Sequence, residues 1–218
     1  DLWMHPKQGT DAAVAMAMGH VILKEFYFPD GGKPRSAYFD NYVRRYTDMP
    51  MLVRLVERNG CFVPDQMLRA SQLPGGLDEA NNGDWKTLAI DESTNEIVAP
   101  NGSIGYRWGE GKVNDGEKVG RWNLEPKDGG SGREIDPQLS LVAKHDQVVS
   151  VGFNYFGGAD ANDMVMRNVP ARKVQLADGS EILVATVYDL SMANYGVDQG
   201  LGGAVAHSYD DDIPYTPA

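Results

Sequence analysis

Leu52-Val53-Arg54-Leu55-Val56-Glu57-Arg58-Asn59-Gly60-Cys61-Phe62-Val63-Pro64-Asp65-Gln66-Met67 decides the fold: two strand-like runs are hinged on an Asn-Gly pair. Asn-Gly tolerates positive φ at the two central positions of a tight turn, so the flanking runs fold back on each other as a β-hairpin. The same signal recurs downstream at Asn82-Gly83, Asn101-Gly102, Asp115-Gly116, Asp128-Gly129 and Asp178-Gly179. Two further hairpins follow from it and from the spacing of the apolar runs. Trp85 to Asp91 turns through Glu92-Ser93-Thr94-Asn95 into Glu96 to Pro100, and Arg172 to Ala177 turns into Ser180 to Tyr188. Gly109 to Arg133 is poor in apolar residues and rich in Gly, Lys, Asp and Glu, which predicts a long surface loop.

Upstream of this β-rich region the period changes. From Asp11 to about Tyr27, Val14, Met18, Val21, Ile22 and Phe26 recur at helical spacing, and Ala12, Ala13, Ala15, Met16 and Ala17 make the other faces apolar. Such a helix is expected to be buried on most sides. Thr10 suits the N-cap, Asp11 complements the helix dipole, and Pro29 with Gly31-Gly32 ends the segment. Ser36 to Thr47 reads as a second helix, with an aromatic stripe of Tyr38, Phe39, Tyr42 and Tyr46 and with Arg44 and Arg45 near its C-terminal end. Helices first and antiparallel hairpins afterwards define an α+β chain.

Composition narrows the function. The chain has 218 residues, 42% of them hydrophobic, with 31 acidic against 20 basic side chains and a net charge of -11. A surplus of negative charge disfavours nucleic acid as a partner. Apolar runs are interrupted well before the roughly 18 residues a membrane span needs. One cysteine, Cys61, and four scattered histidines, His5, His20, His145 and His207, form neither an internal disulfide nor a closed metal site. His20 reads as a core histidine and Cys61 as an inert small hydrophobe. Tyr209-Asp210-Asp211-Asp212 lacks the alternation of a calcium loop. Both ends, Asp1-Leu2-Trp3 and Tyr215-Thr216-Pro217-Ala218, have the look of cuts through a longer polypeptide.

The most informative local sequence is Pro6-Lys7-Gln8-Gly9-Thr10-Asp11, a loop with a flexible glycine running straight into the apolar helix. Backbone N–H groups at a helix entrance attract anions and polar rings. A carboxylate there can accept two parallel hydrogen bonds, and guanine offers two adjacent donors, its ring N1–H and its exocyclic amine. Asp11 is therefore a candidate guanine reader. Capping by Thr10 and dipole compensation by Asp11 account for the same residues without a ligand. Phe153 to Gly158 and Ala193-Asn194-Tyr195-Gly196 read as packing segments.

Asp1-Leu2-Trp3, Pro6 to Ala13 and Ala15-Met16-Ala17-Met18-Gly19-His20-Val21 together resemble the segment of molybdopterin oxidoreductases that holds one guanine dinucleotide arm of the molybdenum cofactor. Tyr42 to Val53, Val98 to Gly105, Val151 to Phe153 with Tyr155 to Gly158, Gln175 to Ser180 and Thr186 to Leu190 are similar to the catalytic alpha subunits of membrane-bound respiratory nitrate reductases. The resemblance implies reduction of nitrate to nitrite at molybdenum held by two molybdopterin guanine dinucleotides (Mo-bis-MGD). It places Gly9, Thr10 and Asp11 on a guanine end. The metal-ligating carboxylate and the ligands of a 4Fe-4S cluster are implied to lie outside this chain, so no residue here is assigned as catalytic or metal-binding. Implied partners are an iron-sulfur beta subunit and a membrane haem b gamma subunit. The implied location is the cytoplasmic face of the inner membrane, outward-facing in archaeal forms.

On this resemblance residues 1-50 form a cofactor-arm-binding helical segment from the cofactor domain. Residues 51-207 form a β-hairpin-rich insertion with a long surface loop near 109-133, and residues 208-218 begin the next helical segment. Two other functions fit the same residues: a related molybdenum reductase of selenate, chlorate or another oxyanion, and a non-enzymatic acidic protein-interaction module. A helix apolar on every face needs neighbours. Expressed alone, the chain is expected to aggregate or unfold in part, and a sharp cooperative melt of a soluble monomer would contradict this.

Overall fold

The computed structural model describes residues 6–27, 37–79, 83–101, 126–154 and 163–204. His5, His207, the acidic run at 209–212, the packing segment at 155–158, most of the loop at 109–133 and residues 208–218 lie outside the described residues.

Strands β1 (Leu52–Arg58) and β2 (Cys61–Met67) pair antiparallel across Asn59 and Gly60, whose φ angles of 53° and 81° are the positive values the turn requires. Strands β3 (Ala89–Ile90) and β4 (Ile97–Val98) form a small two-stranded sheet. Strand β5 (Gln147–Asn154) pairs antiparallel with β6 (Met164–Gln175), which turns through Asp178 and Gly179 into β7 (Glu181–Thr186). The β7 strand pairs with β1, and β2 meets β5 in parallel at Phe62 and Val151, closing a five-stranded barrel in the order β1-β2-β5-β6-β7. Parallel neighbours cannot share a hairpin and need a long connection. The segment from Leu68 to Asp146, which carries β3 and β4, supplies it.

Alternating residues build two cores. Val53 and Leu55 of β1, Val149, Val151 and Phe153 of β5, Val169 and Ala171 of β6 and Ala185 of β7 cluster together. The opposite parity, Leu52, Val174 and Val184, packs with Leu68, Leu73, Leu88, Ile90 and Leu141 from the long connection.

The third hairpin ends earlier than its sequence suggests. Helix α3 (Val187–Asn194) begins where Val187 and Tyr188 were expected to continue the strand. The cause is local and polar: Thr186 Oγ1 accepts from the Asp189 N–H at 3.0 Å, and the Asp189 carboxylate accepts from the Thr186 hydroxyl at the same distance. This reciprocal cap stops the strand and starts the helix. Leu190 and Ala193 of α3 join the cluster of β1, β5 and β6.

Upstream, helix α1 (Asp11–Ile22) continues into a π-helical turn, Leu23–Tyr27, and α2 spans Ala37–Tyr46. A third core joins these helices to α3: Val43, Tyr188, Met192, Leu139 and Val197, with Leu23, Tyr27 and Tyr195 packed around them. Arg44 of α2 donates to Asp40 at 2.8 Å, to Glu92 at 2.6 Å and to the Pro137 carbonyl at 3.0 Å, tying α2 to the long connection. The expectation that α1 is buried on most sides is not met, since His20 is its one buried residue.

Two buried carboxylates hold the long connection in place by opposite means. Asp189 accepts from the Leu141 N–H at 2.7 Å, the Ser140 hydroxyl at 2.6 Å, the Thr186 hydroxyl and the Gln199 amide, and pairs with no cation among the described residues. Burial, opposed by those hydrogen bonds, pushes its carboxyl up to about 6. Asp91 is equally buried and burial raises it too, but Arg133 at 2.6 Å, the Asp136 N–H and the hydroxyls of Ser93 and Thr94 hold it well below the usual carboxylate range.

Relative to an unfolded Asp at its ordinary value of 3.8, the folded state favours protonated Asp189. That contribution is full below pH about 4 and is lost as pH rises through about 6, on the order of 2–3 kcal/mol. Asp189→Asn sets an NH2 against a ring of donors and is expected to cost about 1–3 kcal/mol. It should also flatten the decline in stability between pH 4 and 6, read as urea midpoints across that range.

Candidate functional site

Gly9 has φ +80°, and nothing lies within 4 Å of where a Cβ would stand, so the position needs glycine for its backbone conformation rather than for space. The turn brings both the N–H and the hydroxyl of Thr10 onto the Lys7 carbonyl, at 3.1 and 2.7 Å. The expected side-chain cap is absent: the Thr10 hydroxyl donates to the Lys7 carbonyl and accepts from no N–H of the helix. The Thr10 carbonyl accepts from the N–H groups of Ala13 and Val14 at 3.1 and 3.3 Å. The N–H groups of Asp11 and Ala12 have no backbone acceptor among the described residues. Asp11 is exposed and has no hydrogen bond or ion pair among them either.

The entrance of α1 thus presents one carboxylate acceptor and two unengaged amide donors side by side. Dipole compensation by Asp11 remains in force, whereas capping by Thr10 does not explain the hydroxyl. All three candidate residues, Gly9, Thr10 and Asp11, lie together and exposed on this turn.

The other end of α1 is fixed by α3. The His20 ring is buried, and its Nδ1 lies 2.9 Å from the Tyr195 carbonyl, which can only accept, so Nδ1 carries the proton. Burial lowers the His20 pKa; the Tyr195 hydrogen bond opposes that shift, and the nearby Lys24 and Arg167 charges reinforce it. Gly19 lets the helix lie on the Tyr195 ring: a Cβ there would stand 2.3 Å from Cε1. About two turns further on, the Tyr188 hydroxyl donates to the Tyr27 carbonyl, and desolvation raises the phenol above its ordinary pKa.

The remaining sequence candidates do not gather here. His145 places Nδ1 2.9 Å from the Val142 carbonyl, and the Cys61 thiol donates to the Arg58 carbonyl at 3.4 Å. No three His, Cys, Asp or Glu side chains converge as a metal site among the described residues. Nor, among them, is any helix long and apolar enough to cross a membrane.

Sequence reasoning gave no notice of a groove of about 780 Å³ between the barrel and α3. Val53, Met67, Phe153 and Leu190 supply apolar walls, Asn59 and Asn194 supply amides, and the Arg58–Asp65 ion pair closes at 2.8 Å. Its lining contains no histidine or cysteine and no residue of α1, so it is separate from the Asp11 turn. The Asp189 cap was also missed, although Thr186-Val187-Tyr188-Asp189 directly after a strand carries the Thr-x-x-acid signature of a helix start.

No protein-family model matches the chain. Individual curated proteins do, along its whole length. The chain is 50% identical to the respiratory nitrate reductase 1 alpha chain of Escherichia coli K12, over 100% of this chain and 17% of that protein. It is 41% identical to the respiratory nitrate reductase alpha chain of a Bradyrhizobium species, over 100% of this chain and 20% of that protein. With the nitrate reductase alpha chain of Bacillus subtilis 168 the identity is 39%, over 100% of this chain and 16% of that protein. These similarities place the chain in the family of respiratory nitrate reductase alpha chains. It spans a fifth or less of the length of these relatives.

Replacing Gly19 by Ala drives a methyl into the Tyr195 ring and is expected to cost about 1–3 kcal/mol by overpacking. Limited proteolysis should then cut α1 sooner while the barrel strands keep their protection.

Proposed function

We propose that this chain is the part of a molybdenum-dependent respiratory nitrate reductase that holds one guanine end of Mo-bis-MGD, through Gly9, Thr10 and Asp11. The observation that carries the reading is the unpartnered, exposed Asp11 carboxylate beside two unengaged N–H groups. The donor set fits the base. A carboxylate accepts from guanine N1–H and from the exocyclic amine, and an adjacent backbone N–H donates to the guanine carbonyl oxygen. Gly9 leaves open space on the loop side, and Thr10 holds the turn shut against Lys7.

When bound, the cofactor supplies the two-electron, oxygen-atom abstraction that turns nitrate into nitrite. The residues of this chain bind and orient its remote arm. Residues 51-207 are proposed as an insertion that braces the helix carrying that hold, since α3 grips α1 through Tyr195 and Tyr188. The 4Fe-4S cluster, the metal ligand and the contacts to beta and gamma subunits are assigned to other parts of the enzyme. The membrane-associated location belongs to that assembly.

In the full-length subunit, Asp11→Ala removes two charge-assisted hydrogen bonds and is expected to weaken retention of the guanine arm by roughly 10- to 100-fold. Molybdenum content and nitrate-reducing activity should fall together while the melting temperature holds. Unchanged molybdenum and unchanged activity would refute the reading.

A further inference from the structure

The side chain of Glu79, in the long connection between β2 and β5, is only 3% exposed, and its Oε1 has no hydrogen-bond partner among the described residues. Lys86 Nζ stands 3.9 Å from Oε2, too far for a hydrogen bond, and leaves Oε1 untouched. Burial pushes the Glu79 carboxyl above its ordinary range; Lys86 opposes that shift and the nearby Asp128 charge reinforces it. A buried acceptor left in this state is costly unless something else meets it.

Other oxygens gather at the same place, around Gly129 and Gly130. A Cβ on Gly129 would overlap Glu79 Oε1. A Cβ on Gly130 would stand 2.8 Å from the Leu77 carbonyl oxygen, 3.7 Å from Asp128 Oδ2 and 3.8 Å from the Asp78 carbonyl oxygen. Neither carbonyl accepts a backbone N–H among the described residues. The backbone that presents them, Gly75 to Asp78, runs in the left-handed region with φ between 55° and 63°. Asp128 is fixed by the Ala99 N–H at 3.0 Å, the Ser131 N–H at 2.9 Å and the Ser131 hydroxyl at 2.7 Å. A carboxylate has about four acceptor positions, so these three donors leave one open.

We infer that Glu79, Asp128 and the carbonyls of Leu77 and Asp78 bind a divalent cation of calcium type, which ties two distant stretches of the long connection together. The set offers only oxygen, the donor of hard cations, and neither the imidazole nor the thiolate that zinc and copper prefer. Two carboxylates face Lys86 alone, because the Arg133 guanidinium is engaged by Asp91 and Glu96. Two oxygens from Glu79, one from Asp128 and two carbonyls leave the rest of calcium's roughly six to eight positions to water. Magnesium fits this set poorly, since it demands a compact octahedron and gives up its own water reluctantly. The site is independent of the proposed guanine hold, and neither depends on the other.

Amide hydrogen exchange read by mass spectrometry tests this on the full-length subunit, stripped with EDTA and then given calcium chloride or magnesium chloride. So few charged ligands place the calcium Kd at about 0.1–1 mM. At about 10 mM calcium, opening of the loop at 128–132 should therefore slow by roughly 10- to 100-fold, and magnesium should slow it far less. Glu79→Gln keeps the shape of the side chain and should reduce the calcium effect to within about twofold of none. Gly129→Ala keeps both charges but sets a methyl where Glu79 Oε1 stands, and should lose the calcium effect as well.

Exchange at 128–132 that calcium leaves unchanged in the unsubstituted subunit overturns the site. Calcium protection that survives in Glu79→Gln assigns the ion to other ligands and overturns it too, and equal protection by magnesium overturns the calcium-type assignment. Should either variant fail to fold, the comparison of EDTA, calcium and magnesium on the unsubstituted subunit still decides the matter. Equilibrium dialysis against radioactive calcium gives the second measurement: Glu79→Gln should bind one ion fewer per subunit, and an unchanged count counts against the site.

Discussion

The contact on which this structure turns is the seating of α1 against the end of α3, where Gly19 lies on the Tyr195 ring and His20 donates to the Tyr195 carbonyl. It joins the upstream helices to the barrel, and it permits little variation, because a side chain at position 19 would overlap the ring. The histidine serves as a neutral donor: burial disfavours its charged form, and one nitrogen is committed to a carbonyl. With the far end of α1 held this way, the turn at Gly9, Thr10 and Asp11 is carried at the free end of a fixed rod. A binding group borne by a braced helix is positioned by packing rather than by its own loop.

That brace is itself built on buried carboxylates. Asp189 starts α3, reaches the chain at Ser140 and Leu141, and is satisfied wholly by neutral donors, which leaves it the unfavourable cost of an ionised buried group. Asp91 faces the same burial but has Arg133, so its ionised form is favoured. The pair shows why hydrogen bonds and a countercharge are not equivalent means of burying a carboxylate. Both anchor the long connection between β2 and β5, whose described residues hold little repetitive structure and depend on such side-chain-to-backbone ties for their path.

The barrel and the helix entrance have different characters. The strands, the α3 cap and the connection enclose fully buried residues such as Leu52, Val151, Val169 and Val184. Around α1 the balance is reversed: the N–H groups of Asp11 and Ala12 have no acceptor among the described residues, and Met18, Ile22 and Phe26 are exposed. The chain shares its whole length with nitrate reductase alpha chains and represents a fifth or less of them.

Local chemistry was legible in the sequence. Asn59-Gly60 and Asp178-Gly179 fixed two hairpins because positive φ is a property of the residues at the turn, and the period of Val14, Met18, Val21 and Ile22 fixed a helix because it depends only on neighbours three and four apart. The grouping of Gly9, Thr10 and Asp11 was visible for the same reason. Non-local facts were not: the parallel contact of Phe62 with Val151, the arrest of β7 at Thr186 in favour of α3, and the use of the Thr10 hydroxyl on Lys7 instead of on the helix. Sequence alone determined the turns at Asn59-Gly60 and Asp178-Gly179 and the two upstream helices, since backbone preference is local. Only the tertiary structure decided which face of α1 is gripped and which is left open, because a helix apolar on every side carries no instruction about its partner until another part of the chain occupies one side.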